Sequence, residues 1–325
     1  MQFGLSGGMA VYCSNMIRQY RLNQGVHLIG PKPNYSSFEH PINSIGVHHN
    51  LNGFELGLSE DLLPQKTKQV ITVHDSQELV FPQNFSREQL SQRSKVHEWI
   101  RQNEPKVICI SEFTRKELIN RAHLPESIMH VVPHGFDHLH EWQEYTSEDF
   151  WYANQDFIYV PGKAWKHKGH LNLLPEIARI LPFFRDNNLK VYFACHPRDL
   201  GIDLQNWISK HKANDVLYLI PDMSNEQHLS LMKNAALILL PSQYEGFGFS
   251  YGESIYLNKV VVAFELPPYL EVSDRGHFVE LDDYRSLMEV TIRAYESRNV
   301  QTLDEKILDL TWAANVQKII ELVRA

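Results

Sequence analysis

Short apolar runs alternate with stretches of helical spacing along the whole chain. That alternation admits few folds, because parallel strands buried on both faces read as continuous Val/Ile/Leu segments joined by helices. In the first half Val26–Ile29, Val70–Val73, Val107–Ile110 and Met129–Val132 read as strands. In the second half Phe157–Val160, Lys190–Ala194, Val216–Ile220, Leu237–Leu240 and Val260–Phe264 do so. Helices are expected at Leu171–Phe184, Leu204–Lys212, Glu226–Lys233, Gly248–Leu257 and Tyr284–Arg298. The pattern is that of an α/β protein built from two doubly wound units in tandem. Residues 134–154 are polar, aromatic and without clean periodicity, which places the boundary there and gives domains over 1–145 and 151–305.

A length of 325 residues suits two domains of that size. Thirty-one basic side chains against thirty-nine acidic ones leave a net charge of −8, which argues against a nucleic acid partner. Cys13, Cys109 and Cys195 are isolated and embedded in apolar runs. They fit neither a disulfide framework nor a C-x-x-C metal site, so a reducing, cytoplasmic setting is expected. No stretch approaches the roughly 18 apolar residues of a membrane span, and MQFGLSGGMAVY lacks the regions of a secretory signal. From Arg87 to Arg121 eight basic residues stand among five acidic ones. The charged helix expected around Ser86–Gln102 is therefore either a solvated face or a peripheral contact with anionic lipid at the inner face of the membrane.

The most informative segment is 236–264, ALILLPSQYEGFGFSYGESIYLNKVVVAF, where a buried strand runs through a glycine-bearing loop into a helix and another strand. Ligands of doubly wound sheets bind at such carboxyl ends. Gly246 and Gly248 let the backbone turn tightly and approach a ligand, and the amides and positive dipole end of the helix suit an anion such as a diphosphate. Glu245 in the loop and Glu253 in the helix are acceptor-only groups, suited to sugar hydroxyls. A plainer reading stays open, in which Glu253 is an early helix acid favoured by the dipole and Gly246 merely ends a strand.

The run E-G-F-G-F-S-Y-G-E, two Glu separated by seven residues, resembles the paired-glutamate motif of retaining glycosyltransferase family 4. Further segments agree in order. Tyr159 to Lys163 and His167 to His170 resemble the family's strand, Gly-Arg turn and Lys-Gly helix start. Pro221 to Ser224, the Leu266–Val272 loop with Glu271, and a last helix opened by Thr311-Trp312 also resemble their family counterparts. The N-terminal half matches more sparsely, at Gly7 to Tyr12, Val70 to Asp75, Ser111 to Leu118 and Pro133 to Asp137. Lys163 stands where the family usually has Arg, Ser250 where Pro is common and Asn258 where Gly is common. The first strand is cut to Gln2–Leu5, which makes the N-terminal domain compact or its first strand incomplete.

The resemblance implies the GT-B fold: two Rossmann-like domains facing a cleft, with a C-terminal helix, 311–325, returning to the N-terminal domain. The N-terminal domain would supply the acceptor side and 151–305 the nucleotide-sugar side. The implied reaction is retaining, metal-independent transfer of a hexosyl group from a nucleoside diphosphate sugar to a saccharide or lipid-linked saccharide, in polysaccharide or glycoconjugate synthesis. It assigns Lys163 and Lys168 to the diphosphate, together with the amides of Gly246, Phe247, Gly248 and Phe249. Glu245 would hold the donor sugar, Glu253 the ribose, and His74, at the end of V-I-T-V-H, would lie near the reacting carbon. Gly7 and Gly8 are either a tight turn into a helix or a close approach to the phosphates. Ser111 reads as an N-cap.

His134, His138 and His140 lack zinc spacing, and no D-x-D pair is present, so no metal and no other cofactor is expected. Two other readings remain: a catalytically silent module of the same fold that binds nucleotide or glycan as an assembly partner, and an epimerase or phosphorylase. The short first strand and Lys163 motivate the former. No motif supports the latter.

Overall fold

Strands rich in β-branched and aromatic residues pair in parallel throughout the described residues, as continuous apolar runs joined by helices require. The computed structural model describes residues 8–23, 47–51, 68–142, 155–195, 201–297 and 304–324. By internal contact the chain divides into two compact units, Met1–Gly135 with Leu310–Ala325, and Phe136–Asp309. The division falls between Gly135 and Phe136, at the start of the 134–154 stretch that composition marks as the boundary and ahead of the end of the 1–145 span.

The first unit contains α1 (Gly8–Leu22), β1 (Val47–Asn50), β2 (Lys68–Val73), α2 (Gln77–Val80), α3 (Arg87–Asn103), β3 (Lys106–Cys109), α4 (Glu112–Ala122) and β4 (Met129–Val131). Its sheet has the order β1-β2-β3-β4. Ile71, Val73, Val96, Ile100, Val107, Cys109 and Leu118 form its core. Ser86 opens α3 with a capping box shared with Gln89, and Ser111 caps α4 by accepting from the Thr114 amide at 2.9 Å, the N-cap role expected of it. β1 was not anticipated, because Val-His-His-Asn contains no apolar run. Its place is held instead by polar contacts: His49 meets Tyr20 through Nδ1 at 2.7 Å and Thr72 through Nε2 at 2.9 Å. The expected strands at Gln2–Leu5 and Val26–Ile29 lie outside the described residues.

The second unit contains α5 (His138–Trp142), β5 (Phe157–Val160), α6 (His170–Arg179), α7 (Leu181–Asp186), β6 (Lys190–Phe193), α8 (Ile202–Lys210), β7 (Leu217–Leu219), α9 (Asn225–Asn234), β8 (Leu237–Leu240), α10 (Phe249–Tyr256), β9 (Val261–Phe264), α11 (Pro267–Val272), β10 (His277–Val279) and α12 (Tyr284–Ser297). The single helix expected over 171–184 is two, broken at Ile180. Pro182 lacks an amide hydrogen and its ring crowds the carbonyl four residues back, so it starts α7 instead of continuing α6. The strand order β10-β9-β8-β5-β6-β7 is the doubly wound pattern, in which the chain winds outward from β5 one way, then returns to β8 and winds the other. The crevice between the carboxyl ends of β5 and β8 is thus the topological switch point.

The last helix, α13 (Trp312–Arg324), belongs to the first unit and packs on α1, as expected of a returning C-terminal helix. Trp312 is buried against Tyr12 and His134, while Lys318 and Lys68 close backbone carbonyls at Val131 and Val323. Among the described residues no helix is long and apolar enough to cross a membrane.

Candidate active site

Two loops meet at the switch point. After β5, Gly162 at φ +98° turns the chain into a 3-10 turn over Lys166–Lys168, and Gly169 at φ +69° starts α6. A side chain at 169 would collide with the carbonyl of Pro241, the residue that follows β8, so only glycine lets the two loops close on each other. The amide of Gln243 donates to the His167 carbonyl at 2.7 Å and ties the loops together.

After β8 the chain reaches Glu245 and then Gly246, Phe247 and Gly248. Gly248 caps α10 at φ +89°, where a Cβ would strike the Tyr269 ring. The N-cap of α10 is a glycine with no side chain to cap the first turn, so the positive dipole end of the helix lies at the end of this loop. Lys168 extends its ammonium across the switch point to Glu245, Nζ to Oε1 at 2.6 Å, and Tyr269 donates to the same oxygen at 3.5 Å. Burial pushes the Glu245 carboxyl up, but the Lys168 charge and hydrogen bond, with His167 and Ser242, outweigh it and hold the group below its ordinary value. The family resemblance implies separate roles, Lys168 toward phosphate and Glu245 toward sugar. The folded chain makes them one ion pair. Lys163, on the same loop, lies 5.7 Å from the centre of the half-exposed Trp165 ring.

Glu253 sits within α10 and is only 3% exposed. Its carboxylate is bracketed by two histidines: His138 Nε2 lies 3.5 Å from Oε1, and His228 Nε2 donates to Oε2 at 3.3 Å. Burial raises this carboxyl and the two imidazoles lower it, with a net downward shift, so Glu253 is ionised at neutral pH. His228 in turn meets the Tyr159 hydroxyl through Nδ1 at 2.9 Å, and the His138 ring stacks on Phe249 with centroids 5.5 Å apart. Neither histidine was anticipated as a partner of Glu253. They come from α5 and α9, far from it in sequence; His228 lies in the helix after Pro221–Ser224 that resembles a family segment, but nothing in that resemblance or in the spacing of His138 points to Glu253. α5 was also assigned to the other domain.

His74 follows β2 in the first unit. It is buried, and its Nε2 donates to the Leu51 carbonyl at 2.8 Å. Burial lowers its pKa against the opposing effects of that bond and of Asp75, so the ring is neutral. Tyr12 and His134 pack on it at 4.7 and 5.8 Å. Gly8 opens α1, while Gly7 lies outside the described residues. Among the described residues no group of three His, Cys, Asp or Glu side chains is placed to hold a metal ion. A cavity of about 290 Å³ lined by Asp156, Lys259 and Tyr295 opens at the amino ends of β5, β8 and β9, the opposite end of the sheet from these loops.

Compared with curated proteins, the chain finds no match. Among solved structures, Anabaena HepE in complex with UDP-glucose superposes with a TM-score of 0.63 at 16% identity, covering 80% of this chain and 72% of that one. WaaG, a glycosyltransferase involved in lipopolysaccharide biosynthesis, gives a TM-score of 0.58 at 14% identity over 86% of this chain and 74% of that one. An α,α-trehalose-phosphate synthase from Burkholderia xenovorans gives 0.62 at 12% identity over 80% and 69%. These likenesses establish the fold as GT-B. Residues 47–138 match the family model "Glycosyltransferase Family 4". Residues 144–306, half of the chain, match "Glycosyl transferases group 1", and the chain therefore belongs to that family of glycosyltransferases.

Proposed function

We propose that this glycosyltransferase moves a hexosyl residue from a nucleoside diphosphate sugar to a saccharide or lipid-linked saccharide, with retention at the anomeric carbon and without a metal ion. Its place would be the synthesis of a polysaccharide or glycoconjugate. The observation that carries the reading is the Lys168–Glu245 pair, set at the switch point beside the glycine-capped end of α10. The UDP-glucose bound by HepE and the lipopolysaccharide role of WaaG support the donor class and the kind of acceptor.

As the anomeric bond breaks, negative charge gathers on the diphosphate. Lys168, Lys163 and the amides of Gly246 to Phe249 supply the countercharge, which is the task a divalent ion performs in other transferases. Glu245, kept ionised by Lys168, accepts from donor-sugar hydroxyls, and Glu253 accepts from the vicinal hydroxyls of the ribose. The neutral ring of His74 suits a sugar hydroxyl better than a phosphate. The acceptor hydroxyl attacks from the face the diphosphate leaves, the bond from carbon to phosphate oxygen breaks, and the acceptor proton passes to that oxygen. No side-chain base is then required.

The test is incubation with UDP-, GDP- and ADP-sugars and a panel of glycan acceptors, reading released nucleoside diphosphate and the anomeric configuration of the product by NMR. Diphosphate release with a retained configuration is expected. An inverted product overturns the stereochemical part, and ligand-dependent thermal stabilisation with no release for any donor identifies a silent module instead.

A further inference from the structure

The bracket around Glu253 has a geometry that ribose binding alone does not demand. An ionised carboxylate offers about four lone-pair sites, two on each oxygen. His138 approaches one oxygen and His228 the other, so one site on each remains for a further donor. The His228 hydrogen bond, at 3.3 Å, is longer than the roughly 2.7–2.9 Å of a saturated charge-assisted bond, and His138 Nε2, 3.5 Å from the other oxygen, stands in close contact without hydrogen-bond geometry. The imidazoles therefore steer the carboxylate without consuming it. The steering groups are themselves fixed: the His138 side chain is almost fully buried and stacked on Phe249, and His228 is held by the hydroxyl of Tyr159, a fully buried residue of β5. A free glutamate rotates about its last torsion and can satisfy one hydroxyl in many orientations. A glutamate hydrogen-bonded to His228 at one oxygen and flanked by the buried His138 ring at the other is restricted in that torsion, which favours one presentation of its remaining acceptor sites to two adjacent hydroxyls.

We propose that His138 and His228 are positioning residues that lock the Glu253 carboxylate to read a vicinal diol, and so make the enzyme discriminate ribonucleotide donors from 2′-deoxyribonucleotide ones. This inference rests on the assignment of Glu253 to the donor ribose. Arms from α5 and α9 converge on a residue of α10, so the discrimination is a property of the tertiary structure of the second unit.

The experiment measures, by calorimetry on the full chain, the affinity of UDP, GDP and ADP, and then of the 2′-deoxy counterpart of whichever binds most tightly. The wild type is expected to favour the ribonucleotide at least tenfold. In His228→Leu and in His138→Leu the ribonucleotide weakens about tenfold and the deoxynucleotide far less, so the ratio collapses toward one. His228→Gln and His138→Gln, which keep an N–H donor, restore most of the ratio. Should burial of His138 make its leucine variant misfold, the series at the less buried His228 alone decides. A merely structural role would lower both affinities by one factor and leave the ratio intact, and that result overturns the proposal, as does a wild-type ratio near one. If the wild type binds none of the three diphosphates, the donor assignment itself fails.

Discussion

Replacing His170 by leucine separates the cost of burying a base from everything else that titrates in the second unit. His170 begins α6 and is 2% exposed, and neither ring nitrogen makes a well-formed hydrogen bond, the Gly162 backbone offering only a weak one that slightly opposes the effect of burial. Burial, reinforced by the charges of Lys168 and His167, pulls its pKa from 6.5 down to about 3. The sign follows from linkage. The unfolded chain takes up a proton near 6.5 while the folded chain resists until about 3, so stability is whole above the unfolded value and falls as pH falls between the two. At pH 4 the loss is about 3 kcal/mol relative to pH 7.5, at about 1.4 kcal/mol for each unit crossed. Leucine has similar volume, no ionisation and no polar atoms to leave unpaired, so His170→Leu is more stable by about 1 kcal/mol at pH 7.5 and by about 4 kcal/mol at pH 4. Urea unfolding of both proteins, followed by circular dichroism with each transition fitted separately because the two units need not unfold together, reads that difference at every pH. All other titrating groups cancel in the subtraction. A difference that stays constant to within about 0.5 kcal/mol from pH 7.5 to 4 would refute the reasoning.

Glu245→Ala and Lys168→Ala each lower turnover by about 100-fold, because each removes half of the switch-point pair, and each also lowers the melting temperature, since the remaining charge is left unpaired in a largely buried place. Steady-state kinetics beside thermal melts checks both halves of that statement. Because the Glu245 carboxyl is held below its ordinary 4.5, donor affinity persists as pH falls to that value and is lost only beneath it; titration of donor binding against pH shows where the acid limb lies. EDTA leaves activity unchanged, and a loss restored by one added divalent ion would contradict the metal-free scheme. Gly252→Ala, which helix propensity alone would favour by about 1 kcal/mol, destabilises by about 1–3 kcal/mol because its methyl group meets the Phe136 ring. Phe136 is fully buried between Phe247 and Phe249 and has nowhere to move, so a double variant with Phe136→Leu recovers part of the loss in thermal melts.

The second unit was the more legible half. β5 and β8 fall where their apolar runs predict, and α9, α10 and α12 lie within a residue or so of the expected spans, because buried parallel strands and amphipathic helices write their period directly into the chain. The break between α6 and α7 has a local marker in Pro182, but Pro175 is accommodated within α6, so proline by itself does not distinguish a break from a continuous helix. β1 and β10 were not legible: Val-His-His-Asn and His-Phe-Val are too short or too polar to stand out, and pairing with a neighbouring strand makes them strands.

The same division runs through the site. Residue order alone determined that a glycine-rich loop with two glutamates follows a buried strand, and that lysines follow another, since loop chemistry and strand period are local properties. Only the tertiary structure decided that Lys168 neutralises Glu245, that Glu253 stands between two histidines, and that His138 travels with the second unit while His134 stays with the first. Those pairings depend on which strands lie side by side at the switch point and on which helices pack across it. Distances through space of that kind leave no period in the chain.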